Sequence, residues 1–190
     1  MELKSDIVLK GEIWSKANQS YVKRFFETQW GLFKVCLSVG ILYDKRATDD
    51  KGFEAEDGIN INRTMFNRYG SEMQFFFQSA ILTTNTINLS ERDRLYLAFS
   101  EEISEEEMSG EDAEVITKGV SQEALNFDKI DFLKGFANYG ASKLVECIST
   151  NDSEMMENVM DFLNKSYNGD TEELKKMKEI SDSTELIEFV

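Results

Sequence analysis

Carboxylates are the residues of this 190-residue chain with the most chemistry to offer. Asp49, Asp50, Glu54, Glu56 and Asp57 crowd one polar stretch beside Gly58. Oxygen donors at that density suit Ca2+, but an EF-hand with Gly58 at its sixth position needs an acid at its first, and that residue is Phe53. The stretch reads as a solvated loop. Two carboxylates and a lysine can hold Mg2+ and a water, as in nucleases. Glu-x-Lys occurs twice, at Glu2 and Lys4 and at Glu173 and Lys175. The first pair has no acid upstream; the second falls on a surface-type helix, with its two side chains out of register for a site. Ser142 and Lys143 offer a hydroxyl and an amine, but neighbours on a helix point about 100° apart. Histidine is absent, which removes the commonest general base, the commonest zinc ligand and every Ser-His or Cys-His arrangement. Neither GxxxxGK[ST] nor GxGxxG occurs. The sequence assigns no catalytic residue, no metal and no cofactor, and predicts a chain that is not an enzyme.

Surface for partners remains. Residues 1–100 hold 13 Lys+Arg and 13 Asp+Glu, whereas residues 101–190 hold 8 and 23, so the second half carries the whole net charge of −15. Eight acids and no base lie in residues 101–114. Such an acidic lobe repels phosphate backbones and excludes autonomous nucleic-acid binding. It suits a basic protein surface, with Glu105, Glu106 and Glu107 as candidate contacts. The small basic cluster Lys16, Lys23 and Arg24 reads as a solvated face. Met155, Met156 and Met160 share one segment, where methionine fills cores or forms adaptable binding faces. The terminal residues 185–190, ELIEFV, are too apolar for an idle tail, and Phe189 is a second candidate contact, against the body or a partner's sheet or groove.

Elements that would position these residues follow from pattern and caps. No proline interrupts the chain, which fits a mostly helical protein. Residues 1–19 allow a short strand or arm through Ile7 and Leu9, and a helical pattern starts at Tyr21. Thr28 reads as an N-cap for a helix over 29–43, in which Trp30, Phe33, Val35, Cys36, Leu37, Val39, Ile41 and Leu42 cover the whole circumference. That is the signature of a central, buried helix. A loop of about twenty residues follows, with a short strand near 58–62. Residues 64–82 form a helix broken near Gly70, with Phe75, Phe76 and Phe77 implying burial on several sides. Ser90 caps the next helix, and a further short helix falls within 115–125. Asn126 or Asp128 starts an amphipathic helix to 148. Asp152 or Ser153 caps another, with Met156, Val159, Met160, Leu163 and Tyr167 along one face, and Thr171 opens a charged helix to 180. The expected fold is mainly α: a single-domain irregular helical bundle, residues 1–190, around one fully buried central helix, with a short strand or hairpin. Cys36 and Cys147 sit in apolar contexts and read as buried free thiols. No signal peptide and no membrane span is visible, since the longest nearly apolar run, 30–43, is too short and carries Lys34. These features predict a cytoplasmic protein.

Two stretches carry a resemblance: FETQWGLFKVCLSVGILYDKR, residues 26–46, and FLKGFANYGASKLVECI, residues 132–148. Together they resemble small helical proteins associated with the DNA-phosphorothioation (Dnd) systems of bacterial defence islands. In that family an early F-(A)-x-x-x-G-(Y/L) helix and a late YA-N-x-G helix recur, and the matching positions are Phe33, Gly40 and Tyr43, then Phe136, Ala137, Asn138 and Gly140. This chain departs from the pattern through its long acidic insertion and its extended carboxy-terminal region. It is also similar to small middle subunits of anti-phage complexes that contain an SMC-like or ABC ATPase and a nuclease. Both resemblances imply a non-catalytic accessory subunit that binds a larger protein. The alternative is an acidic DNA mimic or inhibitor of phage or mobile-element origin; a mimic would carry few bases among its carboxylates, whereas eight interrupt the acidic half here.

Overall fold

In the computed structural model, which describes residues 6–47, 58–100 and 117–185, a strand β1 (Ile7–Lys10) leads into α1 (Glu12–Ala17), a π-helical run Asn18–Phe26 and α2 (Gln29–Leu42). There follow β2 (Gly58–Ile61), α3 (Arg63–Arg68), α4 (Gly70–Thr83), α5 (Glu91–Phe99), α6 (Gln122–Leu125), α7 (Lys129–Glu146), α8 (Asp152–Asn168) and α9 (Glu172–Glu185). The fold is mainly α-helical.

The centre is α2. Thr28 is extended, and its hydroxyl accepts the Gly31 N–H at 3.1 Å, which starts the helix where a capping side chain would. Trp30, Leu32, Phe33, Cys36, Leu37, Val39 and Gly40 are buried. Ser38 and Leu42 are its exposed positions, Leu42 in the last turn. The partner of α2 is α7, capped by Asp128, whose carboxylate accepts the Ile130 and Asp131 N–H groups at 2.9 Å. The two helices run antiparallel and meet backbone to backbone. A Cβ at Gly40 would lie 2.8 Å from the Phe136 Cα, and one at Gly140 would lie 2.7 Å from the Cys36 Cα. The contact is reciprocal, and only a residue without a side chain fits it at either end.

Asn138 fastens other elements to α7. It accepts the Trp14 indole N–H at 2.8 Å and donates to the Ala47 carbonyl at 3.2 Å, while the Ala47 N–H bonds Gly135 O at 2.9 Å. The expected strand pairs with the amino-terminal arm, antiparallel, with Ile7 opposite Ile61 and Leu9 opposite Ile59. All four of these side chains are buried, and one core cluster runs from Ile7 to Val159. The weakly patterned 12–17 stretch is helical; only Trp14 and Ala17 of α1 are buried, too few positions for a period to show. The cap of α8 is Asn151 and not Asp152 or Ser153: its side chain takes the Ser153 and Glu154 N–H groups at 2.9 and 3.4 Å. The face of α8 that packs inward is Met155, Val159 and Ser166, whereas Met156, Met160 and Tyr167 face solvent. These two stripes lie about 100° apart on a helix and share the same spacing, so the pattern alone cannot choose between them. Cys36 is buried and Cys147 half-buried; both are free thiols, and burial pushes each above its ordinary pKa, which favours the protonated form.

Ser90 caps α5 by accepting the Asp93 N–H at 3.1 Å, and its hydroxyl donates to the Asp93 carboxylate at 2.8 Å. The other Asp93 oxygen accepts the Ser121 N–H at 2.7 Å, so this buried carboxylate joins the start of α5 to the cap of α6. That backbone bond, aided by the serine contacts, outweighs burial and holds the Asp93 carboxyl below the usual range. Its stabilisation is complete above the unfolded pKa, about 3.9, and is lost as pH falls through the lower folded value. Melts from pH 6 to pH 3 should therefore show a smaller fall in Tm for Asp93→Asn than for wild type. An equal fall would mean that the Asp93 bonds contribute nothing to acid stability.

Candidate protein-interaction surface

The α4–α5 hairpin presents apolar residues to solvent. Within α4, Met73, Phe77, Ala80 and Ile81 turn to the core, and Leu97 and Ala98 do so in α5. Gln74 and Gln78 donate to the Ala98 carbonyl at 3.3 and 3.0 Å, and Arg94 donates to the Ile81 carbonyl at 2.8 Å. These bonds clamp the helices antiparallel and mark the side of each that faces the other. Phe75 follows Gln74, and Leu95 follows Arg94, by about 100° of helical rotation, on the side away from the core. Leu82 and Phe99 share those stripes by the seven- and four-residue spacing. Phe75 is 66% exposed, Leu95 46%, Phe99 41% and Leu82 39%. Four large apolar side chains are thus exposed on the side of one hairpin that faces away from the core, the kind of apolar surface that marks partner sites. The sequence expectation that Phe75 is buried with Phe76 and Phe77 does not hold: Phe77 is buried, Phe76 half-buried and Phe75 projects outward. The signal that separates them is the Gln74 and Gln78 pair, whose amides belong on the hairpin seam and put Phe75 beyond it.

A polar grouping surrounds Tyr139. Its hydroxyl donates to a Glu173 oxygen at 2.7 Å, and the other Glu173 oxygen lies 3.4 Å from the Lys143 Nζ and 3.6 Å from the Lys45 Nζ. Both ammonium groups also sit 5.7 Å from the Tyr139 ring centroid. Burial, reinforced by Glu173, raises the Tyr139 hydroxyl above its ordinary value, so the phenol stays protonated. Burial alone would raise Glu173 too, but the phenol bond and the two lysines outweigh it and hold that carboxyl below its usual range. A fixed phenol donor and a fixed carboxylate make a joint between helices, not an acid–base pair poised near neutrality.

The remaining sequence candidates are dispersed. Lys16 pairs with Glu12 at 2.6 Å and Arg24 with Asp152 at 2.5 Å, so these two cations are engaged within the chain. Ser142 donates to the Tyr139 carbonyl at 2.7 Å while Lys143 turns to Glu173. Glu173 faces the body and Lys175 turns back to Asp170 at 3.9 Å, which separates that Glu-x-Lys pair. Glu105, Glu106, Glu107 and Phe189 lie outside the described residues, as do Glu2, Lys4 and the acids of 49–57. Among the described residues no group of three His, Cys, Asp or Glu is placed to hold a metal ion, and no helix is long and apolar enough to cross a membrane. Compared with known protein families, curated proteins and solved structures, the chain matches none.

Proposed function

We propose that this chain is a non-catalytic accessory subunit that binds a larger protein. The observation that carries this reading is the outer side of α4 and α5, where Phe75, Leu82, Leu95 and Phe99 meet solvent. A helical hairpin that exposes four such residues on one side is suited to cover by another protein. The net charge of −15 adds long-range attraction toward a basic partner surface, with the acids of 101–114 as the densest contribution. The setting we propose is a bacterial, DNA-directed anti-phage complex in the cytoplasm, in which an SMC-like or ABC ATPase and a nuclease supply ATP use and cutting. That setting rests on the resemblance of residues 26–46 and 132–148 to Dnd-associated proteins. Their shared positions Gly40, Asn138 and Gly140 serve packing here, so the resemblance concerns the helical frame and the partner surface is this chain's own.

The test is co-purification with the products of neighbouring genes. Wild type is expected to retain its partner, and Phe75→Ser with Leu95→Ser to lose it while melting within a few degrees of wild type, since both side chains are exposed. Full retention by the double variant would remove this face from the interface. The chain alone is expected neither to hydrolyse ATP nor to cut DNA with Mg2+ or Mn2+; turnover abolished by changing a single acid would overturn the accessory reading.

A further inference from the structure

Over residues 171–180, α9 and its cap meet the body at a few specific points, the first of them Thr171, whose hydroxyl oxygen accepts the Tyr43 hydroxyl at 3.1 Å. Over 172–180 only Leu174 is buried; Met177 is half-buried and Ile180 is 66% exposed. Leu174 closes a small apolar cluster with Val39 and Tyr43, over which Tyr139 and Phe162 pack. The residue before it, Glu173, meets the Tyr139 hydroxyl, Lys143 and Lys45. Every one of these recognition groups belongs to α2, its exit, α7 or α8. None belongs to α9. Two ammonium groups and a phenol converging on one carboxylate form a carboxylate site, set beside the apolar cluster of Val39 and Tyr43, in a chain that is otherwise strongly acidic. The link to α8 is a single turn at Gly169, whose φ of 71° ends α8 with the Gly169 N–H on Ser166 O and the Asp170 N–H on Lys165 O.

We propose that α9 is a displaceable strap, and that the site beneath it receives a partner helix bearing a carboxylate directly before a leucine. The strap is then an intramolecular competitor. It lowers apparent affinity for that helix by the fraction of molecules in which it is open. This site is separate from the α4–α5 face and does not depend on it.

The probe is a fluorescent peptide of residues 171–185, TEELKKMKEISDSTE, added to the full chain. In the full-length Leu174→Asp variant the strap should be released. Peptide affinity for that variant is expected to exceed that for wild type by roughly tenfold or more. Adding Lys143→Ala to the released chain, or Glu173→Gln to the peptide, should weaken binding several-fold. Equal affinity for wild type and variant, or no binding to either, overturns the proposal, provided the variant keeps the wild-type circular dichroism. Amide exchange on wild type is a second arm that needs no variant. Residues 172–180 are expected to exchange at least a hundredfold faster than the centre of α7. Equal protection of the two helices also overturns the proposal. Neither arm reads the α4–α5 face, so failure here leaves the co-purification result unaffected.

Discussion

Gly140→Val is expected to leave no cooperative thermal transition. A Cβ at position 140 would fall 2.7 Å from the Cys36 Cα and deeper still into its carbonyl group. Backbone cannot swing aside as a side chain can, so α2 and α7 must separate. Their separation opens the layer that holds Phe33, Leu37, Phe136 and Leu144, all buried. Overpacking a core usually costs about 1–3 kcal/mol. Here the displaced group is a whole helix, and a loss above about 4 kcal/mol belongs to the rare class with a specific cause. Against a total stability of about 5–15 kcal/mol, that is a large share. Gly140→Ala should show the same defect in milder form. Gly135→Ala on the same helix is the control. Its Cβ would meet the Arg46 Nε at 2.9 Å, part of a long side chain that can shift. The gain in helix propensity, up to about 1 kcal/mol, works in the opposite direction. That variant is expected within about 1 kcal/mol of wild type. Melts of the three proteins decide the matter, and equal destabilisation by the two alanines would show that the close approach is not what the glycine at 140 is for.

Phe33→Ala should be a costly truncation in α2. The ring is 1% exposed and stacks on Trp30 at 5.8 Å. Removing a buried aromatic side chain costs about 3–5 kcal/mol, which for a chain of this size lowers Tm by about 10 °C or more. A fall of only one or two degrees would place α2 outside the core.

Most of the frame is legible in the residues. Thr28 and Ser90 announce their helices because a side-chain oxygen before an apolar run has one strong local use, and of the two starts open for α7, Asn126 and Asp128, it is Asp128 that accepts the capping bonds. The break near Gly70 is visible, and α4 begins there. The strand near residue 58 is legible as an element, yet its partner is not, because Ile7 and Ile61 become neighbours only through the packing of everything between them. Faces are harder than elements. On α8 two stripes compete, and the expected face packs inward at Val159 and Leu163 but meets solvent at Met156, Met160 and Tyr167; on α4 three consecutive phenylalanines conceal that one of them points outward. The candidate surface was illegible for the same reason: Leu95 and Phe99 become a patch only when Gln74 and Arg94 fix how two helices face one another. The Glu173 joint draws on residues from three separated parts of the chain, and no local pattern foretells it.

The reciprocal glycine contact also governs how the protein is made. Cys36 must wait for Gly140, and Gly40 for Phe136, to leave the ribosome. At about 5–20 residues per second, roughly a hundred intervening residues take on the order of 5–20 s to appear. Throughout that interval α2 lacks the helix that closes its Gly40 face, although Trp30 can already pack on Phe66 and Tyr69. A helical protein would ordinarily assemble through neighbours close in sequence, and fast. This one postpones its central pairing, so codon changes that slow synthesis between residues 40 and 136 should lengthen the time for which the Gly40 face of α2 waits without α7.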